Sequence, residues 1–382
     1  MRIAVKLAYV AAAVVTMAAL AGCSMFHKDP PKNPPATLTE FKPTLTVHKA
    51  WSMSIGSSDD FSFSPAYAEG SVFAAAADGT IVRLAAGSGK LQWRIRAEMP
   101  LTAGVGSDGS TVAVAGEKGI VLAYDGEGKL RWKAQSTSEI LSAPAVGSGL
   151  VVVRSADDKI VAYDAESGSK RWTVVRTVPA LTLRTTPGIT IDRQTVFVGL
   201  PGGHLLALFV NSGAARWELA VGEPRGATEL ERVADLSGAP TVINGDVCAV
   251  SFQGRIGCFD GGSGNPLWTK NLSSSVGLGA DERFVFAADE HGVLSAYARE
   301  SGSNAWTSKV LGYRNLSAPA SFGRAVAVGD YQGYVHFLSR EDGAMLARVA
   351  TDGSAIVAAP VVAGDDLVFQ TRGGTLAAYT AE

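Results

Sequence analysis

The chain has little of what catalytic and metal-binding proteins usually carry. Among 382 residues there are three cysteines and five histidines. His27, His48, His204, His291 and His336 are scattered, with no second ligand at metal spacing. No nucleophile elbow, zinc-protease helix or paired cysteine ligands appear, so surface and packing roles are the default for these residues. Charge of one sign is also scarce, with 34 basic residues against 36 acidic ones and no polybasic stripe. Nucleic-acid binding, which rests on clustered Lys and Arg, is excluded on that ground. Gly104-Val-Gly-Ser-Asp-Gly109 has the spacing of a dinucleotide fingerprint. It leads into the strand-like run Thr111-Val-Ala-Val-Ala, so the helix N-terminus that would receive a pyrophosphate is missing.

What the chain does have is repetition. Seven tryptophans, Trp51, Trp93, Trp132, Trp172, Trp217, Trp268 and Trp306, recur at intervals of 38 to 51 residues. Six of them follow a glycine by four positions: Gly89, Gly128, Gly168, Gly213, Gly264 and Gly302. Gly343 keeps the register, although Ala347 stands in the tryptophan position. Within a repeat, four short β-prone runs alternate with turns, as in Leu141–Val146, Gly149–Ser155, Lys159–Asp164 and Lys170–Val174. The second and third runs are joined by glycine-bearing pairs such as Asp78-Gly79 and Gln332-Gly333, which suit tight hairpins. The third repeat departs from this with Asp158-Lys159. Asp125, Asp164 and Asp260, at the ends of third runs, are expected to bond turns.

A period near forty with one tryptophan per unit predicts a β-propeller of four-stranded antiparallel blades. Repeats begin near Ser62, Thr102, Ser142, Thr186, Ser237, Val276, Ser317 and Ala359, which makes eight. The eighth stops at its third strand, and the segment around Trp51 is expected to supply the fourth and close the ring. The tryptophans are expected to pack between sheets.

The N-terminal residues read differently. Arg2 and Lys6 precede an apolar run from Leu7 to Leu20, too short to span a bilayer comfortably. The ending Leu20-Ala21-Gly22-Cys23 resembles a bacterial lipobox, which implies a signal peptide over 1–22 and lipid attached to Cys23. Ser24 after it resembles the pattern of lipoproteins delivered to the outer membrane. Residues 23–45, with Pro30, Pro31, Pro34, Pro35 and Pro43, are expected to form an extended tether. Without Arg2 and Lys6, 32 basic residues face 36 acidic ones. Cys248 and Cys258 flank the Gln253-Gly254 turn symmetrically, where either a disulfide or two buried thiols would fit.

Repetition encodes scaffold, so departures from it are where function is sought. Two connectors are overlong, Thr177–Arg184 and Gly222–Leu236, each between a tryptophan strand and the next blade. The same topological position in adjacent blades puts them side by side at one end of the ring. Leu181, Leu183 and Arg184 offer apolar anchors beside a guanidinium, a combination suited to a protein interface. The alternative is that the leucines only pin a loop to the core. Residues 227–236 are expected to form a short helix, with Asp235 near Arg184.

The repeats resemble the quinoprotein-type propeller superfamily. Pro179-Ala-Leu-Thr-Leu-Arg184, Ala227–Asp235, and Gly333-Tyr-Val-His-Phe-Leu338 with Glu341-Asp-Gly343 resemble the BamB family of outer-membrane lipoproteins, over essentially residues 1–382. The resemblance implies a non-enzymatic subunit of the β-barrel assembly (BAM) complex that binds the periplasmic POTRA domains of BamA and helps orient it or hand over unfolded outer-membrane precursors. It implies no cofactor. Carried over by position, Leu181, Leu183, Arg184 and Asp235 form the contact. A second acidic position of the family is Ser237 here. The chief rival is a pyrroloquinoline-quinone-dependent dehydrogenase, which shares the blades but carries much longer loops for quinone and calcium; a generic scaffold that binds another envelope partner or peptidoglycan is the third alternative.

Overall fold

Each blade follows from alternation between short β-branched runs and left-handed turns. In the third, β10 (Ala145–Gly147), β11 (Leu150–Arg154), β12 (Lys159–Asp164) and β13 (Lys170–Val175) pair in order, all antiparallel. The second strand is buried on both faces, whereas the fourth alternates exposed and covered residues, as an outer edge should. The computed structural model describes residues 32–177, 181–183, 187–223, 226–228 and 230–382. It falls into two units, Met1–Pro35 and Ala36–Glu382. Residues 32–35 of the first have no regular secondary structure. The expected signal peptide and Cys23 lie outside the described residues.

The second unit contains eight four-stranded sheets, an eight-bladed β-propeller. The innermost strands of successive blades touch all the way round, from β2 (Ala66–Ala68) to β30 (Val361–Ala363) and back. The eighth sheet has the order β1-β32-β31-β30, with β1 (Val47–Ser54) antiparallel to β32 (Thr375–Ala381). The first strand of the chain therefore completes the last blade, and the ring has no open sheet edge at its seam.

The tryptophans are latches between blades. Trp172 Nε1 donates to Val210 O at 2.7 Å, on the turn of the next blade, and all seven indoles make the equivalent bond at 2.6–3.2 Å. The glycine of that turn lies directly under the ring: Gly213 has φ +68°, and a Cβ there would run into Trp172. The expected left-handed glycine is thus also a seat for the preceding blade's indole, a second constraint that the spacing alone did not reveal.

Ala347 now has a physical reason. Its neighbour is the eighth blade, whose outer strand arrives from the N-terminus, so no turn glycine exists to receive an indole. Residues 36–45, expected to belong to the extended tether, fill the region instead. Ala36 N donates to Gly312 O, Thr44 N and Leu45 N both donate to Leu346 O, and Leu45 is buried in the same apolar cluster as Ala347. Three arginines bind carbonyls along this strap: Arg314 to Ala36, Arg348 to Thr39 and Arg324 to Thr44. Arg348 also stacks over Phe41, 5.2 Å from the ring centre.

Candidate docking face

In each blade the chain runs through four antiparallel strands, so the hairpin between the second and third strands shares one end of the ring with the connector to the next blade. Both long connectors, from β13 to β14 (Ile189–Asp192) and from β17 (Ala215–Ala220) to β18 (Leu236–Ile243), emerge at this end. A central funnel of about 870 Å³, lined by connector residues including Phe61, Leu141 and Val276, opens along the same axis.

Leu181 is 48 % exposed and Leu183 is half-buried. Arg184 lies outside the described residues. On the second connector Leu230 is 70 % exposed, the largest value among the described large apolar side chains. The helix expected over 227–236 does not form among the described residues. A single turn at 230–232 stands there, and Leu236 already begins β18. Thr228 and Glu231 cap that turn reciprocally: Thr228 N donates to the Glu231 carboxylate at 3.1 Å, and Glu231 N donates to Thr228 Oγ1 at 3.3 Å. The Val233, Ala234 and Asp235 that follow are buried, so the chain turns inward before a helix can extend.

Asp235 differs most from expectation. Its residue is 1 % exposed. Its two carboxylate oxygens accept from Leu183 N at 2.5 Å and from Gly202 N at 2.9 Å. One acidic side chain therefore joins the first connector, the second connector and the hairpin of the fourth blade. It faces the connectors from below and not a partner from outside. Ser237 is buried as well, and its hydroxyl has no partner among the described residues.

A second buried carboxylate, Asp158, stands in the hairpin of the third blade. Arg154 Nη1 donates to Asp158 Oδ1 at 2.6 Å, with both residues at least nine-tenths buried. Burial pushes the Asp158 and Asp235 carboxyls above the ordinary range; Arg154 draws both down, and Asp235 pushes Asp158 further up. The guanidinium is bonded to Asp158 and acts on Asp235 only through space.

The two remaining cysteines, Cys248 and Cys258, are directly opposed in β19 (Asp246–Ser251) and β20 (Arg255–Asp260) and joined as a disulfide, with both residues buried.

Residues 77–308 match the family described as outer membrane protein assembly factor BamB. The chain belongs to the BamB family. The member from Bordetella pertussis is 44 % identical over 359 residues, 94 % of this chain and 93 % of that one. The member from Pseudomonas aeruginosa is 41 % identical over 374 residues, covering 97 % and 98 %. The crystal structure of BamB from Moraxella catarrhalis superposes with a TM-score of 0.80 at 27 % identity, covering 88 % of this chain and 100 % of that one. A quinohemoprotein alcohol dehydrogenase from Comamonas testosteroni shares the fold alone, with a TM-score of 0.66 at 15 % identity. The relatives in the BamB family are thus named as assembly factors, whereas the enzyme's likeness stops at the blades.

Proposed function

We propose that this protein is a non-enzymatic scaffold of the BAM complex that assists the assembly of outer-membrane β-barrel proteins by docking onto the periplasmic POTRA domains of BamA. The observation that carries this reading is the pair of overlong connectors, joined at one end of an otherwise regular ring through Asp235 and presenting Leu181 and Leu230 outward. Exposed apolar anchors on a preorganised loop pair are what a specific, non-obligate interface needs. Leu181, Leu183 and Arg184 are the contact residues in this reading, and Asp235 holds the backbone of Leu183 in place. Lipid on Cys23 keeps the ring at the periplasmic face of the outer membrane. Twelve residues separate Cys23 from Ala36, where the strap begins. Such a segment reaches at most about 45 Å when extended. No turnover follows from this mechanism, and unfolded precursors are passed along a surface rather than transformed.

Affinity for the purified periplasmic domains of BamA tests the docking. Leu181→Glu and Arg184→Glu are each expected to weaken binding by about tenfold or more, with unchanged thermal unfolding. Wild-type affinity in both variants would move the interface elsewhere. Cys23→Ala is expected to abolish labelling by palmitate and release the chain from the membrane fraction.

A further inference from the structure

Asp158 occupies a position that is glycine in every other blade. The equivalents are Gly79, Gly119, Gly203, Gly254, Gly292, Gly333 and Gly374. Asp158 adopts the left-handed backbone that six of these seven glycines use, with φ +55°, which resists a side chain. In six of the other seven hairpins an added Cβ would collide with a backbone carbonyl of the connector passing overhead, such as Ala97 O over Gly79 or Leu311 O over Gly292. In the third blade the connector is the lengthened one. It keeps the common backbone bond, Arg176 N to Asp158 O at 3.2 Å, yet leaves room for a carboxylate.

Arg154 is a second departure in the same hairpin. It ends the second strand where the other blades have Ala75, Ala115, Gly199, Val250, Ala288, Gly329 and Gln370. Its Nε has no partner among the described residues. A buried charge is costly unless it is paired, and a strained backbone in an otherwise glycine position adds to that cost. Scaffold needs do not explain either residue, because seven blades fold without the pair.

We propose that Arg154 and Asp158 are positioning residues of the docking face: they form a charged floor against which Asp235 is set, and Asp235 in turn fixes Leu183 and the hairpin of the fourth blade. The inference rests on the docking reading above for its biological purpose, but its structural content stands apart from the partner's identity. The two lengthened connectors and the two substituted hairpin positions are then one modification of the repeat. Removing the Asp158 carboxylate leaves Arg154 balanced by Asp235 alone, which draws Asp235 toward the guanidinium and away from Leu183 N.

Asp158→Gly restores the residue that the other hairpins use, so the blade still closes. Three measurements on the full chain separate the outcomes: thermal unfolding, hydrogen exchange of the Leu183 amide, and affinity for the BamA periplasmic domains. Expected are an unchanged unfolding temperature, exchange of the Leu183 amide faster by about tenfold, and binding weaker by about tenfold. Asp158→Asn, which keeps one acceptor for Arg154, is expected to fall between. Wild-type exchange at Leu183 in Asp158→Gly overturns the inference, as does a lowered unfolding temperature with exchange raised in every blade, which marks a merely structural pair. If Leu183 exchanges faster while neither Asp158→Gly nor Leu181→Glu alters BamA binding, the floor is supported and the choice of partner fails.

Discussion

Two hairpins on the same end of the ring each bury an aspartate against an arginine, and they are built to opposite specifications. In the seventh blade Asp330 is saturated. Its Oδ2 accepts from Arg314 and from His336 Nε2 at 2.7 and 2.8 Å, and its Oδ1 accepts from the backbone of Gln332 and Tyr334 at 2.9 and 3.0 Å. Burial works against this carboxylate, yet the bonds from His336, Tyr334 and Arg314 hold it below the usual carboxyl range. Arg314 carries the anchorage onward to Ala36 of the strap. In the third blade the ledger of charge is reversed: Arg154 is bonded to Asp158 and acts on Asp235 only through space, and both carboxyls are pushed up. A saturated cluster fixes the seam, whereas a cluster with surplus charge sets the connectors. The same pair of residue types thus does scaffold work in one blade and site work in another, and the difference lies in how many donors each carboxylate receives.

The sharpest way to break this comparison is to remove each aspartate. Asp330→Ala strands Arg314 in the interior and should cost about 3–5 kcal/mol in urea unfolding. Asp158→Gly should stay within about 1 kcal/mol of wild type, because glycine relieves the left-handed backbone and the charge of Asp235 still acts on Arg154 through space. Equal losses would mean that both clusters are structural. Trp172→Ala tests the regular interfaces against the seam: it empties the seat on Gly213 and should cost about 3–5 kcal/mol. Ala347→Trp adds the missing eighth indole where no turn receives it, and should destabilise by about 1–3 kcal/mol through overpacking. A stabilised Ala347→Trp would show that the strap had not taken that place. Leu45→Ala, at the strap's buried end, should cost about 2–4 kcal/mol.

These contrasts also mark what could be read from residue order alone. The eight blades, the left-handed glycines, the closure by Trp51 and the two overlong connectors were all legible, because each is a local spacing or a count. The burial of Asp235 was not: a carboxylate in a polar loop reads as surface, and only the fold brings Leu183 N and Gly202 N to its two oxygens. Nor was the strap legible, since Pro43 and the polar residues around it carry no periodicity, and what holds residues 36–45 is donated by Arg314, Arg324 and Arg348, some three hundred positions away. Asp158 stood in plain view as the one hairpin without glycine. Its meaning required seeing that a connector carbonyl crosses six of the seven such glycines and that the connector is lengthened above this hairpin.

The smallest expected effect separates the two clusters by the sign of their pH dependence. Burial lowers the pKa of His336 from its ordinary 6.5, against the pull of Asp330, and Arg348 and Arg314 lower it further. The folded imidazole is therefore neutral, while an unfolded one takes up a proton below about 6.5, so acidification favours the unfolded chain. The lowered carboxyl of Asp330 adds a loss of the same sign as pH falls below 3.8. At the connectors the raised carboxyls act oppositely: folding retains protons that the unfolded chain releases, so their contribution is full below 3.8 and is lost as pH rises through the folded values. Urea midpoints measured from about pH 7.5 down to about pH 4 should fall for wild type, and His336→Gln should flatten the upper part of that decline. The stability of Asp158→Gly relative to wild type should be highest at neutral pH and decline slightly toward pH 4. A constant offset between Asp158→Gly and wild type across the range would mean that Asp158 carries no strained charge, and the contrast between the two hairpins would then rest on geometry alone.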